Sequence, residues 1–295
     1  MNKQSKMLIS TRRITTLKIL DGKKLSNEII EELKIRCDEL KEKGIKPKFA
    51  VIMVGNDKAS QIYVKNKRKA CERIGIECVE CFLDENIQQK ELIDKIKELN
   101  SDNTIHGILL QSPIPKHLNI NEAFETISPK KDVDGFNPTN VGKLCLNQNT
   151  FVSCTPFGII KLLDKYGIDL AGKKVTIIGR SNIVGKPLIQ CFLNKNATVT
   201  ICHSKTDDIK EHTKDADIVV VAIGKPKFLK ENMVKKNSVI IDVGINRDDN
   251  GKIIGDVDFE NVSKKSSYIT PVPGGVGPMT IAMLMNNVIK AAENV

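Results

Sequence analysis

Short apolar runs alternate with amphipathic segments along most of this chain, and this alternation limits the possible folds more than any other feature. Phe49–Val54 and Lys174–Ile178 are apolar runs of strand length. Segments 29–40 and 59–74 carry apolar side chains at helical spacing, and each is followed closely by a glycine. Strands that alternate with helices predict an α/β fold with a parallel sheet.

The predicted elements form two series that are separated near Cys154–Pro156. The first series consists of helix 29–40, strand 49–54, helix 59–74, strand 78–83, helix 88–99 and strand 106–110. The second consists of helix 157–166, strand 174–178, helix 187–193, strands 197–202, 216–223, 238–243 and 268–272, and a last helix opened by Pro278. We therefore predict a basic extension at 1–20, an α/β domain at 21–154, a Rossmann-type domain at 155–277 and a final helix at 278–295.

The formal net charge is +10, which suits an anionic ligand but also fits a simple lysine-rich composition. Basic residues are interleaved with acidic ones and aromatic residues make up only 4%, so no nucleic-acid partner is expected. No apolar run approaches the roughly 18–20 residues that are needed to cross a bilayer. We therefore expect a soluble protein that has no membrane partner.

The eight cysteines form no disulfide-dense framework, which predicts reduced thiols and a cytoplasmic protein. Cys78 and Cys81 have a spacing found among metal ligands, but they lie on a predicted strand and would point to opposite faces. We therefore expect no metal site. Residues 1–20 are rich in basic and hydroxyl side chains and contain no acid. A mitochondrial transit peptide is thus the alternative to a disordered basic tail.

A glycine-containing turn follows strand 174–178 and precedes a predicted helix. Gly179 and Gly185 would let the main chain approach a pyrophosphate, which would then lie at the positive end of that helix. The spacing of these glycines differs from the usual G-x-G-x-x-G motif, so a plain strand–helix turn stays the alternative. The strand–turn–helix context favours dinucleotide binding.

The end of the next predicted strand indicates which dinucleotide would bind. In NAD enzymes an acidic residue about 20 positions on binds the ribose hydroxyl. Here the strand is followed by His203, Ser204 and Lys205, without a carboxylate. Arg180 and Ser181 lie in the preceding turn and offer a guanidinium and a hydroxyl to a 2′-phosphate. We therefore predict NADP as the cofactor.

Four polar residues of the first series are candidates for a pocket. Tyr63 and Lys67 are four positions apart on a predicted helix and share one face, although such a pair is common on solvated surfaces. Gln111 and Asp134 lie in loops that follow predicted elements. A lysine that transfers protons needs a lowered pKa, which burial can supply. A buried aspartate is costly unless a ligand or the protein donates hydrogen bonds to it.

Five segments of the chain, in this order, resemble the bifunctional methylenetetrahydrofolate dehydrogenase/cyclohydrolase (FolD) family. The segments are Ala59–Lys67 (ASQIYVKNK), Lys131–Phe136 (KDVDGF), Gly179–Pro187 (GRSNIVGKP), Ile240–Asn246 (IIDVGIN) and Ile269–Met279 (ITPVPGGVGPM). The resemblance extends from about Leu20 to the end of the chain and leaves only the basic extension outside it.

This resemblance implies two reactions in one pocket. Hydride passes from 5,10-methylenetetrahydrofolate to NADP⁺, and water then opens the resulting 5,10-methenyl cation to 10-formyltetrahydrofolate. The resemblance also implies that the first domain is catalytic, that the final helix packs back on it, and that the second domain binds NADP. Its implied partners are tetrahydrofolate derivatives, with polyglutamate tails, and a second copy of the chain in a homodimer.

The family pattern also implies a role for each candidate residue. Lys67 would transfer protons, Tyr63 would line the folate pocket, Gln111 would hydrogen-bond the lysine, and Asp134 would anchor the pterin. The residues of the loop that would close over the substrate are Pro273, Gly274, Gly275, Gly277 and Pro278. The residues that would contact the cofactor are Gly179, Arg180, Ser181, Gly185, Ser204 and Ile245.

Two alternatives to a bifunctional enzyme are kept. The first is a dehydrogenase that has lost the cyclohydrolase activity, and the presence of Tyr63, Lys67, Gln111 and Asp134 argues against it. The second is a folate- or nucleotide-binding regulator without turnover. Formation of NADPH that depends on methylenetetrahydrofolate would distinguish an enzyme from a regulator.

Overall fold

The computed structural model describes residues 17–294 of the chain. The predicted basic extension therefore lies largely outside the described residues, and so does the choice between a transit peptide and a tail. The predicted extension ends too late in the chain, because Lys18 and Ile19 already form a first strand, β1 (Lys18–Ile19). This strand pairs in parallel with a strand of the second domain, and the adjoining Leu20 is fully buried.

The first domain contains a three-stranded parallel sheet in the order β3-β2-β4. Its strands are β2 (Lys48–Val54), β3 (Glu77–Leu83) and β4 (Gly107–Leu110). Its helices are α1 (Gly22–Glu42), α2 (Lys58–Ile74), α3 (Gln89–Ser101), α4 (Ile120–Thr126) and α5 (Pro138–Cys145).

The second domain is built on a six-stranded parallel sheet in the order β1-β11-β8-β7-β5-β6. Its strands after β1 are β5 (Lys174–Ile178), β6 (Thr198–Cys202), β7 (Ile218–Val221), β8 (Val239–Asp242) and β11 (Tyr268–Ile269). Between β8 and β11, the short strands β9 (Asn246–Arg247) and β10 (Ile253–Ile254) form a separate antiparallel hairpin. Its helices are α6 (Cys154–Lys165), α7 (Gly185–Leu193), α8 (Ile209–Thr213) and α9 (Phe259–Val262), with a 3₁₀ turn at Glu231–Met233.

The last helix, α10 (Val276–Glu293), returns to the first domain and packs against α1, α2 and α6. Its buried Asn287 donates hydrogen bonds to the carbonyl oxygens of Val133 (2.8 Å) and Val152 (3.1 Å), which both belong to the first domain. The predicted two-domain α/β fold, with its final helix against the first domain, is thereby confirmed.

Helix α2 shows why the candidate residues lie where they do. Asp57 caps its first turn by accepting a hydrogen bond from the main-chain N–H of Ser60 at 2.7 Å. Gly75 ends it in the left-handed conformation, with a φ of 90°. Val64 and Cys71 are buried on its inner face, which directs Lys67 toward the core of the domain.

Several predicted boundaries are wrong, for local reasons. Helix α6 begins at Cys154 rather than at 157, because Pro156 is tolerated in a first helical turn. Strand β11 ends at Ile269 rather than at 272, since Pro271 and Pro273 have no N–H to donate to a neighbouring strand. Four short helices (α4, α5, α8 and α9) were not predicted. Within residues 17–294 no helix is long and apolar enough to cross a membrane.

Candidate active site

A cavity of about 900 Å³ lies between the two domains and is lined by residues of both. Lys67, Gln111 and Asp134 line it from the first domain, whereas Val184 and Ile245 line it from the second. The remainder of the wall comes largely from α1, from α2 and from the first half of α10. The cavity therefore exists only because the final helix and the second domain both pack against the first.

Lys67 is the central polar group of this cavity. Its Nζ donates a hydrogen bond to Oε1 of the buried Gln111 at 2.8 Å, and Nε2 of Gln111 donates to the carbonyl oxygen of Ser112 at 2.6 Å. This second bond fixes which end of the amide faces the lysine. Burial lowers the pKa of Lys67, while the carboxylate of Asp134 opposes that shift. A lysine in this setting can lose and regain a proton more readily than one in water.

Asp134 lies in the loop before α5 and is partly buried. Burial raises the pKa of this carboxyl group, and the charge of Lys67 opposes the rise. The neighbouring Cys154 thiol, also buried, has its pKa raised well above the usual value for the same reason. Asp132, two residues earlier, is different. It accepts hydrogen bonds from the main-chain N–H groups of residues 135–137 and from Asn140, so it shapes the loop that presents Asp134.

Tyr63 lies one turn before Lys67 on α2 and lines the same cavity, with 44% of its surface exposed. An exposed aromatic ring beside a cavity offers a flat apolar surface to a ligand ring. The structure thus brings the four candidates of the first domain, Tyr63, Lys67, Gln111 and Asp134, into one cavity wall.

The loop at 273–278, which is predicted to close over the substrate, divides into two parts. Gly277 and Pro278 line the cavity, whereas Pro273, Gly274 and Gly275 do not. Instead, the carbonyl of Gly274 accepts a hydrogen bond from Lys23 N at 2.8 Å, at the start of α1. A Cβ on Gly22 would overlap the carbonyl of Gly275, so this close approach depends on a glycine at 22. The first part of the loop, residues 273–275, therefore packs against the start of α1 and does not face the cavity.

The turn between β5 and α7 has the shape expected of a pyrophosphate-binding turn. Gly179 has a φ of 123°, and a Cβ there would overlap the carbonyl oxygen of Ala222. A Cβ on Gly185 would likewise overlap the carbonyl of Gly179. The turn is therefore closed tightly by main chain alone, at the carboxyl edge of the sheet and at the start of α7. This arrangement fits a dinucleotide, because ligands of such sheets bind at that edge.

The side chains around this turn also suit a phosphate. Arg180, Ser181 and Ser204 are exposed, and within residues 17–294 no carboxylate forms an ion pair with Arg180. The hydroxyl oxygen of Ser181 accepts hydrogen bonds from Val184 N (3.2 Å) and Gly185 N (3.4 Å), so it also braces the turn. Of the six predicted cofactor residues, Ile245 is half exposed and lines the cavity. The other five lie outside the cavity wall: Gly179, Arg180, Ser181, Gly185 and Ser204.

Sequence reasoning missed residues that join the two halves of the cavity. The hydroxyls of Thr155, on α6, and Thr280, on α10, are 2.9 Å apart and both residues line the cavity. Ser153 donates a hydrogen bond to the carbonyl of Ile183, at the dinucleotide turn, at 2.7 Å. In the sequence analysis, the segment Cys154–Pro156 served to place the domain boundary, and no contact was predicted there. Its position between the two domains was the signal that such contacts would form there.

The described residues 17–294 contain no group of three His, Cys, Asp or Glu side chains that could hold a metal ion. Fold and cavity together define a class of protein: a two-domain α/β enzyme with a dinucleotide-binding turn beside a cleft that holds a buried lysine. The same architecture is found in proteins of known families.

Two family models match the chain. The model described as tetrahydrofolate dehydrogenase/cyclohydrolase, catalytic domain, matches residues 20–134, and that described as the NAD(P)-binding domain of the same enzymes matches residues 153–295. The bifunctional protein FolD of Campylobacter concisus is 56% identical over 277 residues, which cover 94% of this chain and 98% of the relative.

Two solved structures extend the comparison. The FolD dehydrogenase/cyclohydrolase of Campylobacter jejuni is 54% identical, with a TM-score of 0.94 and coverage of 95% of this chain and 99% of the other. The FolD of Trypanosoma brucei, complexed with NADP cofactor and an inhibitor, is 36% identical, with a TM-score of 0.90 and coverage of 94% and 98%.

The chain belongs to the tetrahydrofolate dehydrogenase/cyclohydrolase family. It is an NADP-dependent enzyme with both dehydrogenase and cyclohydrolase activities. The relatives' description as bifunctional favours this interpretation over a dehydrogenase that lacks the second activity.

Proposed function

We propose that the cavity between the two domains carries out both reactions, with Lys67 as the proton-transfer residue. The observation that supports this most directly is the 2.8 Å hydrogen bond from Lys67 to Gln111 within the cavity wall, where burial lowers the pKa of the lysine. The substrate is a tetrahydrofolate that carries its one-carbon unit between N5 and N10.

In the first reaction the protein aligns the one-carbon bridge with the cofactor. NADP⁺, when bound, supplies the hydride acceptor. The exposed ring of Tyr63 packs against the substrate's aromatic ring, and Asp134 accepts hydrogen bonds from the pterin amino and ring N–H groups. These hydrogen bonds offset the cost of burying the carboxylate. Ile245, Gly277 and Pro278 form the wall on the cofactor side.

In the second reaction water adds to the methenyl carbon of the cation. The neutral amine of Lys67 takes a proton from this water, which leaves a hydroxyl group on the one-carbon unit, and the ammonium group so formed returns that proton to N5. As the bond from N5 to carbon breaks, the hydroxyl oxygen forms the formyl C=O and gives its own proton to the regenerated amine, which releases it to solvent. Gln111 keeps Nζ in place through both transfers, because its own amide is fixed by Ser112. The formyl group remains on N10.

The preference for NADP is assigned to the turn residues Arg180 and Ser181 and to Ser204 after β6. Arg180 is exposed and free of ion pairs among the described residues, and so can pair with a 2′-phosphate. No carboxylate follows β6 directly to repel that phosphate. Gly179 and Gly185 give the main chain its close approach to the pyrophosphate.

The cavity extends between α1 and α2 to a basic rim, which suits a polyglutamate tail. Lys23, Lys69 and Arg73 line this end. Arg73 is already bound to Glu31 at 2.6 Å, whereas Lys23 and Lys69 form no ion pair among residues 17–294. Lys69→Ala should therefore raise KM for a pentaglutamate substrate more than KM for the monoglutamate. Equal changes for the two substrates would contradict a tail site at this rim.

Two further properties are proposed. A homodimer is expected from the family resemblance, and sedimentation analysis of the purified chain tests it. A cytoplasmic location is expected because all eight cysteines are free thiols, which persist in reducing compartments. A fluorescent fusion in the source cell tests the location.

The enzymatic proposal is tested with two substrates supplied separately. Purified protein should reduce NADP⁺ when 5,10-methylenetetrahydrofolate is present, and should hydrolyse 5,10-methenyltetrahydrofolate when no dinucleotide is present. Loss of the second activity alone would favour the dehydrogenase-only alternative. Loss of both, with binding retained, would favour a regulator without turnover.

A further inference from the structure

Two fully buried carboxylates of the second domain take no part in the proposed chemistry. Asp242 is the last residue of β8, and Asp256 follows β10. Only 3% of Asp242 and none of Asp256 is exposed. Buried carboxylates are costly unless hydrogen bonds replace their solvation, so the groups that donate to them show what these residues hold in place.

Asp256 binds two separate loops. Its Oδ2 accepts hydrogen bonds from Ile223 N (2.8 Å) and Gly224 N (3.0 Å), in the loop after β7. Its Oδ1 accepts one from the side-chain amide of Asn246 (2.9 Å), in the segment after β8. One carboxylate thus ties together two loops that leave the carboxyl edge of the sheet.

Asp242 fixes Asp256 in turn. It accepts hydrogen bonds from the main-chain N–H groups of Asp256 (2.9 Å), Val257 (2.9 Å) and Gly244 (3.1 Å). A Cβ on Gly244 would overlap the Asp256 carboxylate, and a Cβ on Gly255 would overlap that of Asp242. Each carboxylate therefore packs directly against the main chain of a glycine, and any larger residue at that position would overlap it.

The loops held by Asp256 are those that face the dinucleotide turn and the cavity. The carbonyl of Ala222 lies against Gly179, at the point where a Cβ would overlap it. Val243 and Ile245, on the second loop, line the cavity. We propose that Asp256 is a positioning residue for the cofactor: it keeps the loops after β7 and β8 in the geometry that receives the dinucleotide, and Asp242 supports it.

This inference depends on the proposal that the dinucleotide lies over the Gly179 turn. The two activities separate its predictions, because hydrolysis of the methenyl substrate requires no cofactor. Asp256→Asn replaces one acceptor oxygen by a donor that faces N–H groups. It should raise KM for NADP⁺ about tenfold or more. KM for methylenetetrahydrofolate and the rate of methenyl hydrolysis should stay within about twofold.

A milder pair of variants keeps the inference testable if Asp256→Asn does not fold. Asn246→Ala removes one donor to Asp256 and leaves the carboxylate intact, so it should raise KM for NADP⁺ by a smaller factor. Asn250→Ala changes the same residue type in the exposed turn of the β9–β10 hairpin and should have no effect. Asp258→Asn, on the partly exposed cap of α9, is the matched control for the carboxylate.

The inference is overturned if KM for NADP⁺ is unchanged in Asp256→Asn, or in Asn246→Ala where the first variant is unfolded. It is also overturned if oxidation and hydrolysis fall in parallel, because Asp256 would then support the whole fold. Wild-type protein without NADP⁺-dependent oxidation would instead contradict the proposed function itself.

Discussion

The cavity wall of the first domain and the dinucleotide turn of the second are built on different principles. In the first, the functional groups are side chains, and the burial of Lys67 and Asp134 shifts the pKa of each. In the second, the shape is set by main chain at Gly179, and Arg180 is exposed to solvent. Substitutions in the first region should therefore affect substrate binding and the bond-breaking steps, whereas those in the second should affect cofactor affinity.

Lys67→Met should have the largest effect. It removes the amine that donates a hydrogen bond to Gln111 and keeps a side chain of similar length, so methenyl hydrolysis should fall by roughly 10²–10⁴-fold. Lys65→Met, at an exposed position of the same helix, is the control and should be close to wild type. A near-normal hydrolysis rate in Lys67→Met would show that another group transfers the proton.

Gly179→Ala should have the next largest effect, on the other activity. The new Cβ meets the Ala222 carbonyl at a φ that disfavours side chains, so KM for NADP⁺ should rise about 100-fold while hydrolysis is retained. Gly172 also has a positive φ, but a Cβ there would face open space. Gly172→Ala therefore tests the effect of backbone strain without an overlap between the new Cβ and a carbonyl group. If both variants weaken NADP⁺ equally, the close approach at 179 has no role.

Asp134→Ala should raise KM for the folate substrate by roughly 10–100-fold, because hydrogen bonds to a charged group are lost. KM for NADP⁺ should change little, since the cofactor lies on the other domain. Asp132→Ala is the informative contrast, because that residue accepts hydrogen bonds from three main-chain N–H groups of the loop and from the Asn140 side chain, and its loss should lower the unfolding temperature. Equal rises for both ligands in Asp134→Ala would indicate a structural role.

Arg180→Ala should weaken NADP⁺ by about tenfold, the lower end for a charge-assisted contact, because the guanidinium is exposed. NAD⁺ serves as the internal control, since it has no 2′-phosphate and its kcat/KM should be unaffected. The assays should include phosphate and Mg²⁺, in case NAD⁺ is used with these ions. A wild-type preference for NAD⁺, or an equal loss for both dinucleotides, would place the 2′-phosphate elsewhere.

Asp134→Asn should have the smallest effect, a shift in the pH profile of hydrolysis at saturating substrate. Burial lowers the pKa of Lys67, and the negative charge of Asp134 raises it. Removing that charge should lower this pKa further. If the neutral amine is the base, the acid limb of kcat then moves to lower pH. Asp84→Asn, an exposed control, should leave the limb in place. A limb that moves to higher pH would contradict the sign of this coupling.

The two regions also differ in how far the sequence predicts them. The spacing of Tyr63 and Lys67 places both on one helix face, but it does not show that the face is buried in a cavity. That depends on α10, which arrives from the far end of the chain. The turn at Gly179 is local, and strand, glycine and helix follow one another directly. Its form could therefore be predicted from sequence alone.

The parts that were missed have physical explanations. Helices α4, α5 and α8 are too short for a clear apolar period, although Asn119, Asn137 and Asp208 cap them and could have marked their starts. Strand β1 has two residues, and its pairing with β11 is a long-range contact. The hydroxyl pair of Thr155 and Thr280 likewise forms only when both domains are in place.

We propose that one cavity performs both reactions in sequence with NADP⁺. This is tested most directly by a time course that starts from 5,10-methylenetetrahydrofolate and follows NADPH, the methenyl intermediate and the 10-formyl product together, with NADP⁺ and with NAD⁺. We predict that NADPH and 10-formyltetrahydrofolate accumulate in equal amounts with NADP⁺, while the methenyl species stays low throughout. Methenyl that accumulates in step with NADPH, and then decays at the same rate after the protein is removed, would contradict the claim.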